Sequence, residues 1–250
     1  AILVVVIPFW TVISTSVTMN MGKDVFAENN ITWRYWKIIF SRKSILNSFK
    51  NSITYAFLAA TFGMIVSVVM AWLLKRTEAK GREIPDFLIT VGSGTPSVVI
   101  ALALIMTMTG KFRINIYNTI GIMVIAYMIK YMMMGMRTVV SAFTQISPSL
   151  ESAAQIAGAG WVQRLKDVVL PLISPSVVAG WFLIFMPCFY ELTMSTLLYS
   201  NSTKTLGVEL FTYQTFHSQQ TASALATAIL AIVIIMNTVL NKLTKGKFSI

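Results

Sequence analysis

Long apolar runs alternate with shorter polar stretches along the whole chain. An apolar run of about 20 residues with few charges is long enough to cross the hydrocarbon of a bilayer as a helix. The pattern predicts spans over residues 2–18, 53–74, 87–109, 116–140, 177–198 and 221–240. We therefore expect an all-α fold, a polytopic membrane bundle of about six transmembrane helices in which residues 1–250 form one domain.

The third span carries helix-breaking residues in its first half, namely Gly92, Gly94 and Pro96. A membrane tolerates a broken helix only where neighbouring protein or water satisfies the freed backbone groups. We therefore expect a kink or an unwound turn near Pro96, at an end of the span that faces protein. The fifth span contains Pro187 and is expected to be kinked as well.

Three charged side chains lie inside predicted spans: Lys130, Arg137 and Glu191. Charges at this depth pair with other groups, reach back to the interface, or line a polar pathway. Arg137 is near the end of its span and is expected to extend to the interface. For Lys130 and Glu191 the sequence leaves two interpretations open, a pairing role within the bundle and a functional role.

The stretch 146–175 is the one long polar interval with helix character between two strongly apolar spans. Ser147 is placed to cap a helix whose first residue is Pro148, and Glu151 falls in the first turn, where a carboxylate suits the positive end of the helix dipole. Gly158 then supplies a backbone break. A second helix is expected over residues 161–170, ended by Leu170-Pro171, so the stretch predicts a helix-turn-helix at a membrane surface.

This order of residues resembles the signature loop of the permease subunits of binding-protein-dependent ABC importers. The family pattern runs Glu-Ala-Ala, three residues, Gly, nine residues, an aliphatic residue, one residue and Leu-Pro. Here Ser152-Ala153-Ala154 is followed at that spacing by Gly158, Val168 and Leu170-Pro171. The departure is Ser152 in place of the family's Glu. Glu151 stands one position earlier, so the salt bridge usual for that carboxylate is an open question.

The resemblance implies a MetI-like permease fold in which residues 146–171 form a cytoplasmic coupling loop. Its implied ATPase-coupling residues are Glu151, Ser152, Ala153, Ala154, Gly158, Leu170 and Pro171. The implied partners are two cytoplasmic ATP-binding subunits, a second permease half or subunit, and an extracytoplasmic substrate-binding protein. The chain has no Walker Gly-Lys-Ser/Thr loop, so a transport subunit is expected rather than an enzyme, with ATP hydrolysis by the partner.

Within this family, residues 191–193, 197–199 and 205–208 resemble the branch that imports ferric iron. Branches for polyamine, thiamine and phosphonate share parts of the pattern and stay as alternatives. The abrupt apolar start of the chain would suit the C-terminal half of a fused permease. Candidates for the translocation path or gate are Lys130, Glu191 and Pro96.

Composition supports a membrane protein, because 56% of the residues are hydrophobic, 12% are charged and the mean hydropathy is +0.71. The net charge of +11 lies beside apolar runs, which indicates lipid headgroups rather than nucleic acid. A single cysteine, Cys188, and a single histidine, His217, argue against a disulfide, a zinc site or a catalytic triad, and no cofactor or metal is expected. An ion channel or proton-coupled carrier is the rival function, although it leaves the signature loop unexplained.

Orientation is not decided by charge alone, since the loops on the two sides carry equal numbers of Lys and Arg. The resemblance places the loops 75–83 and 151–170 in the cytoplasm and residues 19–48 and 199–220 outside. We therefore expect a multi-pass protein of the cytoplasmic membrane of a prokaryote.

Overall fold

The structure is a computed structural model that describes residues 2–109 and 116–243. The described residues form helices and hold no β-strand, only one isolated antiparallel bridge between Thr18 and Ile31. In chain order the helices are α1 Ile2–Thr15, α2 Arg34–Ser41, α3 Lys43–Arg76, α4 Ile84–Gly94, α5 Ser97–Met108, α6 Ile120–Gln145, α7 Pro148–Ile156, α8 Trp161–Phe189, α9 Ser195–Leu198, α10 Leu206–Phe216 and α11 Gln219–Leu243.

The helical membrane fold expected from the apolar runs is confirmed. Four helices are long and apolar enough to cross a membrane, namely α3, α6, α8 and α11, and the pair α4 and α5 counts as a fifth, broken span. α1 covers the first predicted span, but its 14 residues are fewer than the about 20 that a crossing needs. The polar segment 19–48 also contains a short helix, α2, which carries Tyr35 and Trp36.

The core of the bundle is formed by α3, α6 and α8, which pack against one another. Two glycines let α6 and α8 approach closely: a Cβ on Gly135 would lie 2.6 Å from the Cδ1 of Ile184, and a Cβ on Gly180 would lie 3.2 Å from the Cα of Gly135. Met64 of α3 fills the remaining space between them. Small residues at such contacts are the usual means of helix packing in membranes.

The predicted break in the third span is confirmed, since α4 and α5 meet at an angle of 111°. Thr95 between them is extended, because the ring of Pro96 disfavours helical geometry in the residue before it. α4 packs on α6 at Gly92, where an added Cβ would lie 3.1 Å from the carbonyl oxygen of Ile129. The broken end therefore faces protein, as expected.

The prediction that a second loop helix ends at Leu170-Pro171 is wrong. The helix that begins at Trp161 continues through both residues to Phe189, so the loop and the fifth span share one element. A π-helical segment, Arg164–Val169, precedes the proline, and the N–H of Leu170 bonds the carbonyl of Leu165. The wider turn accommodates a residue that would otherwise disrupt the regular hydrogen-bond ladder.

The expected outer end of the fifth span at residue 198 is also wrong. α8 ends at Phe189, and the chain then turns through Glu191 into the short helix α9. The apolar residues 194 and 198 are buried within the bundle and do not prolong the span.

Candidate functional site

The helix α7 begins as the sequence predicts. The Ser147 hydroxyl accepts a hydrogen bond from the Ser149 N–H at 3.3 Å, and Pro148 occupies the first helical position. At the other end, the N–H of Ala159 bonds the carbonyl of Ala154 and the N–H of Gly158 bonds that of Gln155, both at 3.0 Å. This pair of bonds is the Schellman motif, which satisfies the last carbonyls of a helix.

Gly158 is at the position of that motif that requires a left-handed backbone, and its φ is +87°. Residues with a Cβ are disfavoured there by about 1 kcal/mol or more. Nothing lies within 4 Å of the point that a Cβ would occupy. Backbone conformation within this chain, and not crowding, therefore explains the glycine.

Glu151 anchors α7 to the transmembrane bundle. Its carboxylate forms a 2.5 Å salt bridge with Nε of Arg76, the last residue of α3, and both side chains are largely buried. The same guanidinium donates to the carbonyls of Phe143 at 3.3 Å and Ile146 at 2.9 Å, and it lies over the Phe143 ring. One arginine thus joins α3, the end of α6 and α7.

Ser152, at the position of the family's Glu, does not take part in this salt bridge. Its side chain is exposed, and its hydroxyl donates to the carbonyl of Pro148 within the same helix. Ala153 is exposed and Ala154 is partly exposed beside it. The question left open by the sequence is answered for this chain: the carboxylate one position earlier points inward and is paired.

The signature loop, residues 146–171, presents an apolar surface that the other described residues leave uncovered. Its exposed large side chains are Leu150, Ile156, Trp161 and Val162, and Ile156 is 89% exposed. Exposed apolar patches on an otherwise ordered surface mark sites of protein association. The loop is held in shape by a 2.9 Å hydrogen bond from Arg164 to Gln155 and by edge contact of Trp161 with Trp72, whose ring centroids are 5.3 Å apart.

Lys130 closes the break in the third span. Its ammonium donates to the carbonyl of Ser93 at 2.9 Å and to that of Thr95 at 2.8 Å, on either side of Gly94 and directly before Pro96. These carbonyls have lost helical partners, and a cation suits the C-terminal end of a helix. The contacts of Lys130 agree with the first of its two interpretations, a pairing role within the bundle. A role in the translocation path stays a prediction.

Replacing Lys130 by Met is expected to lower the thermal unfolding midpoint of the purified protein, because two carbonyls lose charge-assisted hydrogen bonds worth about 1.5–3 kcal/mol each. The matched control is Lys130→Arg, which keeps the charge and the donors. Equal midpoints for Lys130→Met and the wild type would show that the bend does not depend on this ammonium.

Glu191 is buried in the turn after α8, where it organises α9. Its carboxylate accepts hydrogen bonds from the N–H groups of Met194 and Ser195, at 3.1 and 3.0 Å, and from the Ser195 hydroxyl at 2.9 Å. The Tyr127 hydroxyl is 2.7 Å from that same hydroxyl. Glu191 is therefore a helix-capping residue in its contacts, and a role at a gate stays a prediction.

The structure contains three ion pairs among the described residues that the sequence analysis did not predict. Arg137 does not simply extend to the interface, since it forms a 3.0 Å salt bridge with Asp86 of α4. Glu209 in α10 is buried and pairs with Lys204 at 2.5 Å. Arg76 at the end of α3 pairs with Glu151 of α7. No spacing rule joins Arg137 to Asp86 or Arg76 to Glu151, which are 51 and 75 residues apart, so these two pairs needed the tertiary structure.

Metal-binding geometry is not found in the described part of the chain, where no group of three or more His, Cys, Asp or Glu side chains is arranged to hold an ion. Cys188 is a buried free thiol in α8.

The family model of the binding-protein-dependent transport system inner membrane component matches residues 63–246. The chain belongs to this family. The match includes the core helices α6 and α8, the C-terminal part of α3 from residue 63 onward and the entire signature loop. The permease is accordingly a multi-pass protein of the cytoplasmic membrane and a transport subunit of an ABC importer.

Relatives of the permease carry different substrate names. It is 28% identical over 217 residues to the sulfate transport system permease protein CysT of Salmonella typhimurium, covering 81% of this chain and 78% of the relative. It is 27% identical over 184 residues to the Fe(3+)-transport system permease protein FbpB 2 of Haemophilus influenzae, covering 71% and 36%. It is 23% identical over 219 residues to the spermidine/putrescine permease protein PotC of that organism, covering 86% and 84%.

A solved structure shares the fold. The permease superposes with a TM-score of 0.76 on a chain of a bacterial ABC transporter involved in the import of the acidic polysaccharide alginate. The sequences are 19% identical, and the superposition covers 96% of this chain and 91% of the other. The expected MetI-like permease fold is thereby confirmed.

Proposed function

We propose that the permease transmits ATP-driven movement from two cytoplasmic ATP-binding subunits to its transmembrane helices through the signature loop. The observation that carries this proposal is the Arg76–Glu151 salt bridge, which attaches α7 to the cytoplasmic end of the core helix α3. A force applied to α7 would reach α3 and α6 through Arg76, and would reach the fifth span directly because α8 is continuous. Glu151 and Gly158 orient the loop, while Ser152, Ala153 and Ala154 lie on its outer side.

A second permease half or subunit completes the proposed pathway. α4 has no buried residue within this chain, and it exposes Phe87, Leu88 and Val91. Such a face is too apolar for water, so it borders lipid or a partner helix. Rocking of two such halves between inward and outward openings, with an extracytoplasmic binding protein delivering substrate, is the alternating-access scheme of membrane transporters.

The side of the membrane on which the loop lies is the first test. Single cysteines replace two exposed serines, Ser152 and Ser202, in a Cys188→Ser background. A membrane-impermeant thiol reagent applied to intact cells is expected to label position 202 and to leave position 152 unlabelled until the cells are opened. The reverse labelling pattern would contradict the importer orientation.

The substrate is a finer proposal. Ferric iron, predicted from residues 191–208, stands beside sulfate and spermidine, for which relatives of similar identity are named. In the structure, the two ends of the segment 191–208 pack closely against each other: a Cβ on Gly207 would lie 2.5 Å from the Glu191 carbonyl oxygen. Packing accounts for Gly207 without reference to a substrate, and the relatives of similar identity carry other substrate names, so the resemblance of this segment does not by itself favour iron.

Uptake by deletion cells tests the role and identifies the substrate. Radiolabelled ferric iron, sulfate, spermidine, thiamine and a phosphonate are supplied separately under limitation. Deletion is expected to abolish uptake of one of them, and the wild-type gene is expected to restore it. Unchanged uptake of all five would contradict the importer role on this panel, whereas loss of sulfate or spermidine uptake alone would set iron aside and leave the permease role standing.

A further inference from the structure

A polar cleft of about 550 Å³ lies at the N-terminal end of α3, at the opposite end of that helix from the signature loop. Its walls are the first turns of α3 and the loop 201–204. Three lysines line it, Lys43, Lys50 and Lys204, together with the amide of Asn47, and none of the described residues that line it is acidic.

The length of α3 places this cleft beyond the headgroups on the side opposite the signature loop, which the proposed function places outside the cell. Its 34 residues extend about 51 Å, which exceeds the about 40–45 Å thickness of a bilayer with its headgroups. Arg76 ends the helix beside the signature loop, so Lys43 lies beyond the opposite headgroups. This orientation rests on the proposed function.

The cleft carries uncompensated positive charge. Lys204 pairs with the buried carboxylate of Glu209 at 2.5 Å, and Ser44 donates to that same carboxylate at 2.9 Å. Among the described residues, neither Lys43 nor Lys50 forms an ion pair. These two lysines are seven residues apart and so lie on one face of α3, which leaves the cleft with a net charge of about +2.

The cleft is held in shape by buried hydrogen bonds. The Asn51 amide donates to the carbonyls of Ser202 at 3.0 Å and Lys204 at 2.9 Å. The Ser52 hydroxyl, itself buried, accepts the N–H of Leu206 at 2.9 Å. With Glu209 only 2% exposed beneath it, the loop cannot swing away from α3 without exposing or breaking these contacts. Such preorganisation lowers the entropic cost of binding a ligand.

We infer that this cleft binds a small divalent oxyanion of the sulfate type at the outer mouth of the permease. Two unpaired ammonium groups match the charge of a dianion, and the Asn47 amide supplies a neutral donor. The same field repels polycations such as spermidine. The inference deepens the proposed function by naming the class of solute that the outer mouth attracts.

Lysine protection tests the site without requiring transport. Right-side-out vesicles of phosphatidylcholine containing the permease are treated with an impermeant amine-acetylating reagent, and the labelling rate of each lysine is read by mass spectrometry. At a sulfate concentration twice the dissociation constant, Lys43 and Lys50 are expected to react about threefold more slowly. Lys23 and Lys37, in the segment expected on the same side, are the controls and should be unaffected. Sodium chloride at equal ionic strength and spermidine should protect neither pair.

An Asn47 variant and a change of vesicle lipid test whether the protection comes from sulfate bound in the cleft. Asn47→Leu removes a neutral donor without changing charge, and it is expected to raise the sulfate concentration needed for protection. Equal slowing of all four lysines, or no slowing of Lys43 and Lys50, overturns the site. Protection that appears with phosphatidylglycerol in the vesicle and without sulfate also overturns it, because the occupant is then a lipid headgroup. If Lys43 reacts only in inside-out vesicles, the orientation is wrong, and the proposed function fails with it. If Lys43 reacts from the outside but sulfate does not protect it, the anion site is wrong and the proposed function stands.

Discussion

Replacing Gly158 by aspartate is expected to lower transport by roughly tenfold or more while the permease stays in the membrane at normal levels. The φ of +87° at this position disfavours any residue with a Cβ, and the Schellman bonds of α7 depend on that conformation. The new carboxylate also projects from the exposed end of α7, where the proposed ATP-binding partner docks. Transport and ATPase activity are measured in reconstituted complexes, with protein level checked by immunoblot.

Two further variants separate backbone strain from obstruction of the docking surface. Gly158→Asn adds a side chain of similar size without charge, and Asn tolerates a left-handed backbone. Gly81→Asp imposes the same kind of strain in the loop before α4, where φ is +81°, and it leaves α7 unchanged. We expect Gly158→Asn to retain more transport than Gly158→Asp, and Gly81→Asp to retain most of it. Wild-type transport in Gly158→Asp would exclude Gly158 from the coupling element.

Replacing Arg76 by alanine is expected to produce the largest loss of stability among the changes considered, together with loss of coupling. The change leaves the buried Glu151 carboxylate without its partner, at a cost of about 3 kcal/mol, and it frees the carbonyls of Phe143 and Ile146. Thermal unfolding of the purified permease and substrate-stimulated ATP hydrolysis by the reconstituted complex are the two measurements. Arg76→Lys keeps the charge but loses the planar fork, so an intermediate result is expected.

A double-mutant cycle with Glu151→Ala isolates the pair. If the salt bridge carries the effect, the double variant is less impaired than the sum of the two single variants, with a coupling energy of about 1–3 kcal/mol. Ser152→Ala is the matched control on the exposed side of α7, and a change within about 0.5 kcal/mol is expected there. Additive losses from Arg76→Ala and Glu151→Ala would show that the two residues act separately.

The sequence by itself determined the features that depend on neighbouring residues. Apolar runs longer than the hydrocarbon thickness predicted the helices α3, α6, α8 and α11, because a chain in lipid must satisfy its backbone within each segment. Pro96 predicted the break between α4 and α5, and Ser147 with Pro148 predicted the start of α7. The spacing around Gly158 indicated the family, since a glycine in a left-handed turn is a local requirement.

Two segments did not follow the prediction from local rules. A local rule predicts that Pro171 ends a helix. α8 continues through this residue because the wider π-helical turn before it accommodates the proline. The substrate resemblance of residues 191–208 likewise proved to include packing contacts, as the fit of Gly207 against the Glu191 carbonyl shows.

Only the tertiary structure decided which charges are paired. Arg76 and Glu151 are 75 residues apart in the sequence, and Lys130 meets the carbonyls of Ser93 and Thr95 from another helix. From the sequence alone, each of these charged groups has several possible positions of similar free energy, because a long side chain can reach the interface, a neighbouring helix or a loop. Packing of α3, α6 and α8 removes those alternatives, since it holds each charge within hydrogen-bond distance of fixed partners: Glu151 and two carbonyls for Arg76, and two carbonyls for Lys130.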